Sequence, residues 1–66
     1  MSIGENIKRL RIKKCLTQVA LAEAAGISAV AVKKIEAGDR EPKKTTRAKL
    51  AKVFGVNEES LWRKSR

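Results

Sequence analysis

Histidine is absent from this 66-residue chain, and cysteine occurs once, at Cys15. Those two shortages exclude a disulfide framework and a Cys/His zinc site within one chain. With no histidine base, no activated-cysteine setting and no phosphate-cradling loop, no catalytic residue can be nominated. No metal, cofactor or enzymatic activity is expected. A lone cysteine suits a reducing compartment, and Cys15 reads as a small, partly buried structural residue. No apolar run approaches the roughly 18 residues that span a bilayer. The start, Met1-Ser2-Ile3-Gly4-Glu5, has an early acid and no apolar signal core, so a cytoplasmic protein is expected. Alternating strand patterns, long repeats and linkers are missing too. The chain reads as one all-α domain over 1–66, near the lower size limit for unstapled folding. Helix packing, with help from dimerisation, must stabilise it.

Charge is plentiful and of one sign, with a formal net of +9. Residues 1–16 carry five basic side chains against Glu5, a sum of +4. Residues 17–36 set Lys33 and Lys34 against Glu23 and Glu36, a sum of zero. Residues 37–50 hold five bases and two acids, and the remainder adds +2. Positive charge therefore brackets a nearly neutral centre, as expected if the flanks clamp phosphates while the centre reads bases. The plainer alternative is a solvated lysine-rich surface.

Local signals outline five helices. Ser2 with Glu5 forms a capping box, and Ile3, Ile7 and Leu10 share the inner face of a first helix starting at Ile3. The run KRLRIKK on it could be read as a membrane-surface stretch, but three inward apolar residues are the ordinary pattern of a bundle helix. Thr17 caps a second helix, Gln18 to Ala25, ended by Gly26, the residue type that takes a left-handed backbone without strain. Ser28 caps a third, Ala29 to Ala37, stopped by Gly38. Ala22, Ala24 and Ala25 are small enough for close helix approach. After a polar loop containing Pro42, a fourth helix begins within 44–47 and runs to Phe54, with Leu50, Val53 and Phe54 inward. Asn57 caps a short fifth helix, with Val56 and Leu61 as a hydrophobic staple.

The second and third helices carry the functional signal. Leu21 and Ala22, then Gly26, then Val32 and Ile35 describe two apolar faces crossing through one tight turn. That is a helix-turn-helix unit, whose second helix enters a DNA groove.

Thr17-Gln18, Leu21-Ala22, Gly26, Ser28, Val32, Ile35-Glu36 and Gly38, followed by Leu50-Ala51 and Phe54-Gly55-Val56, resemble the Cro/cI-type helix-turn-helix family of phage repressors and their bacterial relatives. The resemblance covers roughly residues 3–62. It implies a compact five-helix bundle of the lambda-repressor type. It further implies a sequence-specific regulator, a repressor by type, that binds near-palindromic double-stranded operator DNA as a homodimer. Three departures stand out. Cys15 falls where many relatives close the first helix with glycine or asparagine, so a differently built turn is expected there. Ala20 replaces a frequent capping-box glutamate. Lys44 and Arg47 replace apolar anchors of the fourth helix.

By position, the resemblance assigns base reading to Gln18, Ser28, Ala29, Val30, Lys33 and Lys34. Ala29 and Val30 stand where relatives often carry glutamine or arginine, and as apolar groups they can touch thymine methyls but cannot hydrogen-bond a base. Helix-packing filler is their other reading. Phosphate contacts are expected from Arg9, Lys13, Thr17, Arg40, Lys43 and Lys44, each of which could also be a solvated surface group. Arg11 and Glu36 are implied to form an ion pair between the first and third helices. Val56, Asn57 and Trp62 are the candidates for a dimer contact, weak in solution and completed on DNA. Val56 and Trp62 could equally close the core. A Cro-like phage protein, a restriction–modification controller and an antitoxin-type regulator all remain open. So does a protein-interaction module that kept the fold but lost specific DNA reading. The apolar Ala29 and Val30 motivate that last alternative.

Overall fold

Side-chain caps and left-handed turns set the helix ends. The computed structural model describes residues 3–62, in which α1 spans Ile3–Lys13, α2 Gln18–Ala25, α3 Ala29–Ala37, α4 Lys44–Phe54 and α5 Glu58–Trp62. Thr17 Oγ1 accepts from Ala20 N at 3.0 Å, and Ser28 Oγ accepts from Ala31 N at 3.1 Å. Each bond satisfies one of the amides that a helix start leaves without a partner. The residues expected to open and close α2 and α3 do so. The Ser2 cap, and any role for the Trp62 side chain, lie outside the described residues.

One closing motif recurs at four helix ends. After α2, Gly26 N donates to Glu23 O and Ile27 N to Ala22 O; Gly38 and Gly55 close α3 and α4 in the same way. After α1 the bonds are Cys15 N to Ile12 O at 2.9 Å and Leu16 N to Arg11 O at 3.1 Å. This is the Schellman pattern, whose central residue takes a left-handed backbone. At α1 that residue is Cys15, with φ of 59°, and it is exposed. Two expectations are thereby corrected. The turn is built in the usual way rather than differently, because the paired carbonyls hold the cysteine in it. The thiol is also outside the core, because a left-handed residue beyond a helix end points away from the packed face.

Cys15→Gly is therefore expected to stabilise the domain. A left-handed backbone costs a non-glycine residue about 1–2 kcal/mol, and the entropy lost on ordering glycine offsets roughly half of that. The net gain, somewhat under about 1 kcal/mol, should raise the melting temperature by several degrees. Thermal unfolding followed by circular dichroism checks this, and an unchanged or lowered midpoint contradicts it.

The helices pack around one core. Ile7, Leu21, Val32, Ile35, Leu50 and Leu61 are its fully buried side chains, with Ala22, Ala25, Ala51 and Phe54 beside them. Ile3, Leu10, Leu16, Ile27, Val53 and Val56 pack against it from the edges. α3 lies between α1 and α2, while α4 joins α2 to α5, which returns to α1. Ala22 and Ala25 serve the close approach, but Ala24 is exposed, one step around α2 from the packed face.

Two residues that the sequence pattern did not single out hold α1 in place. Gly4 is buried where α1 meets the last turn of α3. Asn6 is buried too, and its Nδ2 donates to the carbonyls of Ser60 at 2.9 Å and Leu61 at 3.1 Å. Carbonyls in the last turn of a helix lack intrahelical partners, so Asn6 ties the short α5 to α1 by satisfying two of them. Among the described residues, no helix is long and apolar enough to cross a membrane.

Candidate nucleic-acid interface

α3 has two faces. Val32 and Ile35 point inward, and Val30, Lys33, Lys34 and Ala37 are exposed at the i, i+3, i+4, i+7 spacing of one helical stripe. Val30 is 58% exposed, a large apolar side chain on a basic surface. Ala29 differs from it, being half-buried against the core. The packing-filler reading of Ala29 thus describes much of its surface, whereas Val30 is free to meet a partner. Ser28 is exposed, and its oxygen already accepts from the helix.

The neutral sum over residues 17–36 conceals a separation in space. Glu36 is turned inward, its side chain only 4% exposed, and Arg11 Nε holds its Oε2 at 2.7 Å. A second bond runs from Arg11 Nη2 to Glu36 Oε1 at 3.2 Å, while Arg11 Nη1 donates to Leu16 O at 2.8 Å. This fork-to-carboxylate geometry is the strong form of a charged pair. With Glu36 neutralised inside, Lys33 and Lys34 are the charges left on the outer face of α3. The stripe is therefore positive, as a surface meeting phosphates should be.

The remaining candidates are distributed unevenly. Gln18 is half-buried at the start of α2, and its Nε2 donates to Glu36 Oε1 at 3.1 Å. Arg9 is exposed, but its Nη2 donates to Asn6 Oδ1 at 2.7 Å, so its guanidinium also helps fix the Asn6 amide. Lys13, Arg40, Lys43 and Lys44 are exposed and carry no partner bond among the described contacts. Arg40 and Lys43 rim a groove beside α3 whose floor includes Ile27, Ala31 and Ile35. Lys43 stands at the cap position of α4 without a side-chain cap bond. Thr17 is exposed, with its hydroxyl committed to capping α2. Of the dimer candidates, Val56 packs against the core and Asn57 is exposed. Asn6 and the Gln18–Glu36 bond were not foreseen; they join residues far apart in the chain and leave no local pattern.

Comparison with known proteins matches a helix-turn-helix family model to residues 7–61. No curated protein matches significantly. Among solved structures, the P22 c2 repressor in complex with synthetic operator 9T aligns over 96% of each chain, with TM-score 0.91 and 28% identity. The N-terminal DNA-binding domain of SinR from Bacillus subtilis also gives TM-score 0.91 at 28% identity, covering 97% of this chain and 94% of that one. The restriction-modification controller protein C.AhdI from Aeromonas hydrophila aligns over 91% of each chain, with TM-score 0.87 and 28% identity.

Proposed function

The chain belongs to the helix-turn-helix family, and from that premise we propose that it is a sequence-specific double-stranded DNA-binding regulator, a repressor by type, working in the cytoplasm. α3 is the recognition helix. The observation carrying this is its exposed stripe, positive and free of carboxylates, on a chain of net charge +9. Lys33, Lys34, Ser28 and Gln18 supply hydrogen-bonding groups, and Val30, with the edge of Ala29, supplies contact to thymine methyls. Lys13, Arg40, Lys43 and Lys44, with Arg9 and the Thr17 end of α2, bear on phosphates. Two copies on a near-palindromic operator would set their recognition helices about 34 Å apart. Asn57 is exposed and lies beside Val56, and this turn is the surface we assign to the two-fold contact. So small a patch falls short of the roughly 1,200 Å² of a stable interface, so the dimer forms fully only on DNA.

Selection of bound sites from a random duplex pool tests the proposal. A recovered motif with two related half-sites supports it. Val30, an exposed apolar group where relatives often hydrogen-bond a base, favours the second reading, a protein-interaction module. That module would bind every duplex alike, and no motif would emerge.

Two further outcomes are expected. Binding should weaken steeply with salt, log K falling by roughly 0.9 per log unit of salt for each phosphate neutralised. A flat dependence contradicts phosphate clamping. Lys34→Ala should lose about 1–3 kcal/mol on the selected site and relax preference at one base pair. Lys43→Ala should weaken all duplexes alike. Competition binding against single-base variants of the site separates the two; equal weakening of every sequence by both variants would remove Lys34 from the base-reading set.

A further inference from the structure

A groove of about 460 Å³ opens between α3 and the loop that follows it. Its apolar lining comes from Ile27 in the turn before α3, Ala31 and Ile35 one turn apart on α3, and Pro42. Pro42 is buried, although its neighbours in the loop are exposed. Having no N–H, it forms an apolar wall without leaving a donor unpaired. Ala31 keeps the space open, since a larger side chain there would fill the gap. The rim is polar, with Arg40, Lys43, one carboxylate at Glu41, and the half-buried Thr46 in the first turn of α4. Two bases against one acid leave a sum of +1.

We propose that this groove binds a small organic monoanion, a compact apolar body carrying one carboxylate, and that the bound ligand opposes DNA. The volume suits a small-molecule site, and so does an apolar lining with a few polar groups to fix orientation. The charge sum selects the ligand. Two cations attract an anion, and Glu41 beside them disfavours a second negative charge. The Arg40 fork suits a carboxylate, and the Thr46 hydroxyl can donate to it. The site itself does not depend on the DNA-binding reading, but its opposition to DNA rests on that reading. Arg40 and Lys43 are assigned there to phosphates, so a ligand that neutralises them removes contacts from DNA. Linkage makes the effect reciprocal, and DNA weakens the ligand by the same factor.

Cinnamate is the probe, an aromatic body with one carboxylate. Cinnamyl alcohol has the body without the charge, acetate the charge without the body, and phenyl phosphate carries a second negative charge. NMR titration of the full chain should show saturable shifts at Ile27, Ala31, Ile35 and Thr46, with cinnamate dissociating at about 1 mM. The other three compounds should bind at least about tenfold more weakly. Ala31→Leu fills the groove and should lose about tenfold of cinnamate affinity while keeping its affinity for DNA. Arg40→Gln and Lys43→Gln, at exposed positions, should each weaken cinnamate severalfold, which keeps the test valid if Ala31→Leu does not fold. Glu41→Gln should narrow the gap between phenyl phosphate and cinnamate. On the selected DNA site, cinnamate at about ten times its dissociation constant should weaken wild-type binding about tenfold and leave Ala31→Leu unaffected. Acetate at the same concentration controls for salt. Shifts that never saturate, shifts centred away from the groove, equal binding of cinnamate and cinnamyl alcohol, or cinnamate binding that survives Ala31→Leu would each overturn the proposal. Wild-type DNA affinity untouched by bound cinnamate overturns the opposition. A chain that selects a DNA site yet binds no cinnamate overturns this proposal alone. One that binds cinnamate but selects no site overturns the DNA reading, and with it only the opposition to DNA.

Discussion

Gly4→Ala should cost about 3 kcal/mol and lower the melting temperature by more than ten degrees, against the trend of helix propensity. In an exposed helix interior the same change stabilises by roughly 0.5–1 kcal/mol. Here a Cβ on Gly4 would lie 2.2 Å from Ile35 O and 3.0 Å from Glu36 O. Both are backbone atoms in the last turn of α3, held in place because Ile35 is fully buried and Glu36 is gripped by Arg11. Neither can swing aside as a side chain would, so α1 must move away from α3. That shift loosens Ile7 against Val32 and Ile35, three of the most buried residues of the core. Overpacking commonly costs about 1–3 kcal/mol, and an obstacle made of backbone belongs at the upper end. At roughly 4–8 °C per kcal/mol for a domain of this size, the shift is large and easily read. Thermal unfolding by circular dichroism is the measurement. A midpoint equal to or above that of the unsubstituted chain would falsify the close crossing at Gly4.

Gly4 also marks the limit of what the sequence shows. The ends of α2 and α3 were legible because Thr17, Gly26, Ser28 and Gly38 act within a few residues, through bonds that local geometry dictates. The inward face of α1 was legible from Ile3, Ile7 and Leu10, since helical periodicity places them together. Gly4 on the same helix gave no sign, because the atom excluding a Cβ belongs to α3. Asn6 gave none either; its partner Ser60 O lies 54 positions away. Cys15 was legible by half. Its place in the turn was visible, but the left-handed backbone follows from Arg11 O and Ile12 O closing over it.

The candidate site divides along similar lines. Exposure of Val30, Lys33 and Lys34 follows from the period of α3 once Val32 and Ile35 are assigned to the core. The flanking positive charge can be counted in the sequence. What could not be counted is which charges are already engaged. Glu36 cancels a lysine in a sum over the segment, yet in space it cancels Arg11. Arg9 adds to the basic total while its guanidinium is tied to Asn6. Burial and pairing turn a formal charge into a usable one, and both are properties of the assembled helices.

The pairing of Arg11 with Glu36 should show up as the second large effect on stability, with a defined asymmetry. Arg11→Ala is expected to cost about 3–5 kcal/mol, the range for breaking a buried ion pair by removing one partner. It leaves a carboxylate that is 4% exposed with only the Gln18 amide to compensate it, and it removes the donor to Leu16 O. Glu36→Ala should cost less. The guanidinium is 12% exposed, keeps its bond to Leu16 O, and sits on a long stem that can carry it toward water. A domain of this length has roughly 3–10 kcal/mol in total, at about 0.05–0.15 kcal/mol per residue. Arg11→Ala should therefore leave a substantial unfolded fraction at room temperature, while Glu36→Ala stays mostly folded. The double substitution should cost less than the sum of the two, with a coupling of roughly 1–3 kcal/mol. Loss of the donor to Leu16 O is common to both variants that lack Arg11, so it cancels and leaves the pair itself. Urea unfolding of the four proteins, with a shared slope, measures the coupling. Strictly additive losses would mean that the two charges act alone.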